Sequence, residues 1–180
     1  MYQWNGSSYN QIGGDILGDN IGVSLDLNSD GTIVAIGNPY LDGPVEGNVG
    51  ATWVYQYDGS TWNQLGSDIG LASSSDQVGS SVSLSSDGTF LAMSGPRNDD
   101  AGSDRGKVMI FNYLGGSWVQ IGENIYGEAN NEQKGGKGPL AISADGSRVV
   151  IGAWRGGGGD SGQVRAVSYT HLTLPTKQAV

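Results

Sequence analysis

Apolar and polar residues alternate at Val23, Ser24, Leu25, Asp26 and Leu27, the period-two pattern of a strand with one face buried. The turn-forming stretch Asn28-Ser29-Asp30-Gly31 ends it. Ile33-Val34-Ala35-Ile36 then runs without a polar break, as in a strand covered on both faces. Residues 51–57 are β-branched and aromatic and predict a third strand, and Asp58-Gly59 turns the chain into a fourth at 61–65. Asp-Gly supplies the positive φ that a tight hairpin needs. No window shows helical periodicity, so the unit reads as a four-stranded antiparallel meander.

The pattern recurs. Asp-Gly stands at Asp30-Gly31, Asp87-Gly88 and Asp145-Gly146, 57 and 58 residues apart. Val82-Ser83-Leu84 and Leu140-Ala141-Ile142 precede the later copies, and residues 89–93 and 148–152 follow them. A second signature repeats out of phase: Tyr2-Gln3-Trp4-Asn5-Gly6, Tyr55-Gln56-Tyr57-Asp58-Gly59 and Phe111-Asn112-Tyr113-Leu114-Gly115. An aromatic, a Gln and a Gly come after each, as in Trp62, Gln64 and Gly66. A lone meander with apolar residues on both faces cannot bury itself, so units must stack. The expected fold is all-β, about three four-stranded antiparallel blades of a β-propeller, with repeats at 1–54, 55–110 and 111–167 and a divergent tail at 168–180. Rings close with about 4 to 8 blades, so the three are expected to be a fragment of a longer ring, with further blades of the same chain.

Composition narrows the function. With 18 Asp+Glu against 9 Lys+Arg the net charge is −9, and an acidic surface repels nucleic acid and anionic membranes alike. The absence of Cys and the single His171 exclude disulfide scaffolds, thiolate nucleophiles and Cys/His zinc sites. No apolar run approaches the ~18 residues of a membrane span, so no membrane insertion is expected. The first six residues lack the charge and apolar pattern of a signal peptide.

The periodic residues resemble the FG-GAP family, the repeat of integrin-α-type propellers, in its divergent microbial and algal subgroup. The first copy reads Gly22-Val23-Ser24, the Asp-rich turn 26–31, Gly37-Asn38-Pro39 and then residues 50–55. The second reads Gly79-Ser80-Ser81-Val82, Asp87-Gly88, Gly95-Pro96 and Gly106-Lys107-Val108. In the third, Ala153-Trp154 replaces Gly-x-Pro while Gly162-Gln163-Val164 is kept. The resemblance covers residues 2 to 167 and implies a propeller of a secreted or cell-surface protein. From Ser168 onward the Thr/Leu/Pro-rich tail departs from it and looks like translated adapter sequence, with a genuine divergent terminus as the alternative; His171 is therefore not offered as catalytic.

Asp26, Asn28 and Asp30 place oxygen donors at positions 1, 3 and 5 before a Gly, as calcium loops do. The family's further Asp is Val34 here, and the other copies keep only Asp87 and Asp145, so the set makes at best a weak, hydrated calcium site beside the plain hairpin reading. No other cofactor is expected. The sialidase Asp-box, WD and kelch signatures each fail on spacing. Glycosidase chemistry needs two paired carboxylates, and the clusters Asp99/Asp100/Asp104, Glu128/Glu132 and Asp160 read first as solubilising rim. Trp4, Trp62 and Trp118 read as packing between blades.

In an up-and-down meander, the loops 38–49, 96–105 and 153–161 emerge at the same end as the inter-unit loops 67–78 and 123–135. Long loops gathered on one rigid face are where binding residues sit. Asp99, Asp100, Asp104, Trp154 and Arg155 are the ligand-contact candidates there. The expectation is a non-catalytic module binding a protein or carbohydrate. The alternatives are a glycan-active hydrolase using loop carboxylates and a purely structural repeat of a multidomain surface protein.

Overall fold

The structure, a computed structural model, describes residues 1–18, 21–43, 47–70, 75–136, 140–153 and 162–168. Regular structure among them is entirely β. A hairpin, β1 (Tyr2–Trp4) and β2 (Tyr9–Gln11), comes first. The first full sheet is β3 (Ser24–Leu27), β4 (Ile33–Asn38), β5 (Ala51–Tyr57) and β6 (Trp62–Gln64) in sequence order. The second repeats it as β7 (Val82–Leu84), β8 (Phe90–Gly95), β9 (Lys107–Leu114) and β10 (Ser117–Gln120), with β11 (Ile125–Tyr126) added along β9. The third has β12 (Leu140–Ile142), β13 (Arg148–Ala153) and β14 (Gln163–Ser168). Among the described residues every strand pair is antiparallel and no sheet closes into a barrel. Divisions at 54/55 and 110/111 fall inside β5 and β9, because the hydrogen-bonded sheets run from one Asp-Gly hairpin outward.

Register makes the sheets superimposable residue by residue. Leu25 faces Ile36, Val82 faces Met93 and Leu140 faces Ile151. Ala35 faces Val54, Ala92 faces Ile110 and Val150 faces Ala166. The sheets stack through these positions. Ile33, Ala35 and Val54 of the first sheet pack on Val82, Leu84, Leu91, Met93 and Met109 of the second. The second sheet's other face, Ala92, Val108 and Ile110, packs on Leu140, Val149 and Ile151 of the third. Burial on both faces explains why β4 and β8 carry unbroken apolar runs. Contacts between sheets centre on the innermost strands, β3 on β7 and β7 on β12.

The outer strands are keyed as well. Trp118 donates its indole N–H to Leu65 O of the preceding sheet (2.8 Å), and Trp62 donates to Ile12 O beside the first hairpin (3.3 Å). Gly66 and Gly13 make room for them, since a Cβ there would meet the indole Cδ1 at 2.9 and 2.6 Å. Each Trp also tilts against an aromatic on its own hairpin, Tyr57 with Trp62 and Tyr113 with Trp118.

Candidate functional site

The two ends of the stack use polar residues differently. At the short-turn end each inner hairpin is a five-residue loop with its Gly at positive φ: Gly31, Gly88 and Gly146 lie at 73, 72 and 74°. The residue that opens each loop turns its side-chain oxygen inward onto the first amide of the next strand. Asn28 accepts from Ile33 N (2.8 Å), Ser85 from Phe90 N (2.9 Å) and Ser143 from Arg148 N (2.9 Å). The following Asp accepts from the N–H and hydroxyl two residues on: Asp30 from Thr32, Asp87 from Thr89, Asp145 from Ser147. Asp26 reaches across to the second sheet, accepting from Leu84 N (2.7 Å) and Ser83 Oγ (3.0 Å). One sheet further on, Ser83 Oγ accepts from Ile142 N.

The three calcium candidates are thus all engaged in the fold: Asn28 is buried under its own turn, Asp30 staples that turn, and Asp26 ties two sheets together. Among the described residues no three Asp, Glu or His side chains gather as a cation cluster. The charge states fit these roles. Hydrogen bonds from Thr32 hold Asp30 below its ordinary value. Those from Thr61 and Ser60 lower Asp58 strongly, and those from Ser143 and Ser147 do the same to Asp145. Burial alone would raise Asp87, but Ser85 and Thr89 outweigh it and leave it lowered.

At the opposite end the long connections are laced to one another. Gln77 N and Val78 N donate to Asn48 O and Val49 O, and Arg97 N donates to Asp76 O. Asn131, Gln133 and Lys134 donate through their backbones to Ser103, Asp104 and Arg105. Beneath this rim lie two buried ion pairs, whose acids stand at equivalent places and whose lysines do not. Asp76 meets Lys107 Nζ at 2.9 Å and accepts from Asn98 Nδ2 at 2.9 Å, and Asp100 approaches the same ammonium at 3.5 Å from the exposed side. Glu132 meets Lys134 Nζ at 3.2 Å and accepts from the backbone N–H groups of Glu128 and Ala129. Burial would raise the Glu132 carboxyl; the amides of Ala129 and Glu128, with Lys134, outweigh it and hold it low. Glu132 is therefore no solubilising rim residue, being only 1% exposed, as is Lys134.

Asp99 accepts from Asp104 N (2.6 Å), closing the 99–104 loop, and Asp104 takes a positive φ of 46°. Asp99 and Asp100 are exposed, Asp104 half-buried. Glu128 pairs with Arg165 on the same rim. The structure therefore gathers Asp99, Asp100 and Asp104 on one closed loop of this rim, while Glu128 is held by Arg165. Trp154 and Arg155 lie outside the described residues, as do Asp160 and positions 169–180 with His171.

The buried pairs were missed in the sequence, although a signal exists. Ser75-Asp76-Gln77-Val78-Gly79 and Asn131-Glu132-Gln133-Lys134-Gly135 stand 56 residues apart. In both, the first, third and fifth residues have positive φ. Three left-handed residues in five turn the acid inward under the rim, a backbone that non-glycine residues keep only where the surroundings over-determine it.

No protein-family model matches the chain and no curated protein matches it. Among solved structures 28 chains match. One is the hydrazine synthase of Kuenenia stuttgartiensis, 17% identical, with a TM-score of 0.43 over 71% of this chain. The chain spans 30% of the length of that protein.

Proposed function

We propose that this chain is a non-catalytic binding module: FG-GAP-like blades of a longer β-propeller in a secreted or cell-surface protein, recognising a protein or glycan through the long-loop end. The observation that carries this reading is the laced rim, where Asp99, Asp100 and Glu128 stand exposed over the Asp76–Lys107 and Glu132–Lys134 pairs. A fixed base of that kind lowers the ordering cost of binding, which flexible loops of the same charge would not do. The blade reading is supported by three sheets repeating one register, meeting at their inner strands and joined by hairpins at one end and long loops at the other.

A hydrolase would need a carboxyl kept protonated near neutral pH as general acid. Among the described residues every carboxylate with a resolved shift moves the other way, held ionised by hydrogen bonds. Arrays of glycans and of surface-protein ectodomains probed with the chain should give saturable binding without product. Asp100→Ala with Glu128→Ala should weaken it by about 10-fold or more while leaving the fold intact, since both side chains reach solvent. Product formation, or binding indifferent to the pair, would overturn the reading.

A further inference from the structure

The stack ends in two unlike faces that fit each other. On the first sheet Leu25 and Leu27 are 61% and 45% exposed, while their counterparts Val82, Leu84 and Leu140 are each 6% exposed under the preceding sheet. Beside them lies an apolar cleft of about 750 Å³, bordered by Val34, Ile36, Ile16 and Leu17. On the third sheet Val150 and Val164 are 41% and 73% exposed. Their counterparts Ala35, Thr52, Ala92 and Val108 are fully buried by the following sheet. Each end therefore carries one half of the interface that recurs twice inside the molecule.

The β1–β2 hairpin sharpens the match. Ile12 N donates to Met1 O as Leu65 N donates to Val54 O and Ile121 N to Ile110 O, so the hairpin stands where the outer half of a preceding sheet would stand. Trp62 is keyed to it as Trp118 is keyed to the first sheet. The place of the inner half is the cleft. The third sheet presents inner strands β12, β13 and β14 with no fourth strand among the described residues. Turn contacts agree: a Cβ on Gly88 would meet Ile33 and one on Gly146 would meet Phe90, while one on Gly31 meets nothing. The residue in register with Ile33 and Phe90 on the third sheet is Arg148, exposed, and Asp30 stands next to Gly31.

We propose that a second copy of this chain docks head to tail, its third sheet covering the open face of the first and completing the β1–β2 hairpin into one composite sheet. Val164 then pairs through its backbone with Ile16 of the other copy, as Thr52 pairs with Ile69 and Val108 with Ile125. Arg148 lies over Gly31 beside the Asp30 carboxylate. Val167 and Ser168 fall at the positions of Tyr2 and Gln3 and now hold that place against Val149 and Arg148, so docking requires β1 to displace these last two residues of β14. Such a contact joins unlike surfaces and repeats, giving rings or open stacks. The inference rests on the stacking of sheets in the reading above but not on its longer ring, whose further blades would take the second copy's place, and it is independent of the ligand.

Sedimentation velocity across a concentration series should show mass rising beyond the monomer. Leu25→Asp and Val164→Asp, both at exposed positions and checked for folding by circular dichroism, should each weaken self-association by ~100-fold, because docking would bury an unpaired carboxylate. Mixed in equal amounts the two variants should form a dimer and nothing larger, since one intact pair of faces remains. A monomer at every concentration overturns the inference, as do assemblies indifferent to both variants or a mixture that does not pair. If glycan or protein binding persists in such a monomer, the loop-end reading survives the loss.

Discussion

Asp30, Asp58, Asp87, Asp145 and Glu132 serve as hydrogen-bond acceptors that hold turns, and acidification should therefore weaken the fold. A carboxyl whose pKa is lower in the fold than in the open chain stabilises the fold at pH above the unfolded value. That contribution disappears as pH falls through the folded value. Asp30, Asp58, Asp87, Asp145 and Glu132 are all lowered from unfolded values of 3.8 for Asp and 4.5 for Glu. The urea midpoint should be level from about pH 7 to 5 and drop steadily below about pH 4. A midpoint unchanged down to pH 2.5 would contradict these roles. The buried Glu132–Lys134 pair makes a sharper case. Lys134→Met leaves a buried carboxylate without its cation and should cost about 3 to 5 kcal/mol, whereas adding Glu132→Gln should recover part of that loss. A double variant as unstable as the sum of the two single ones would show that the ion pair itself contributes nothing.

Hairpins and their keys set the next scale. Gly31 and Gly88 have nearly the same φ, 73 and 72°, but a Cβ on Gly88 would lie 2.6 Å from Ile33 Cδ1 while one on Gly31 meets nothing within 4 Å. Gly31→Ala should thus cost the backbone strain alone, about 1 kcal/mol, and Gly88→Ala that strain plus a clash between sheets, about 1 to 3 kcal/mol more. Equal losses in thermal unfolding would mean that the sheets do not meet there. The hairpins themselves are legible in the sequence because their determinants are local: alternation at Leu25 and Leu27, Asp-Gly at three equal places, and aromatic strands before the outer turns. The rim was less legible. Asp76 finds Lys107 and Asn98 across two loops, so its burial depends on tertiary contacts that spacing does not encode. Glu132 reads as surface for the same reason. Its repeated acid-Gln-x-Gly setting is the local clue, and it shows only beside the left-handed backbone of both copies. The fate of Asp26 was likewise hidden, since its partners lie 57 and 58 residues away.

At the scale of the whole molecule, three sheets in one register form a stack whose inner strands carry a line of polar contacts, Asp26 to Ser83 and Ser83 to the amide of Ile142. The apolar clusters on either side of the second sheet supply the main stabilisation, and this polar line fixes the register between sheets. The stacking is open to a direct test because the chain has no cysteine of its own. Asp26→Cys combined with Ser83→Cys places two thiols on neighbouring sheets at positions now joined by the 3.0 Å contact of Ser83 Oγ with Asp26 Oδ2, within the span of a short thiol-to-thiol linker. A short bis-methanethiosulfonate added to the dilute protein should link the two thiols within one molecule, seen as a faster band on a non-reducing gel that dithiothreitol abolishes. A protein that stays unlinked, or that cross-links only between molecules, would contradict the stacked arrangement.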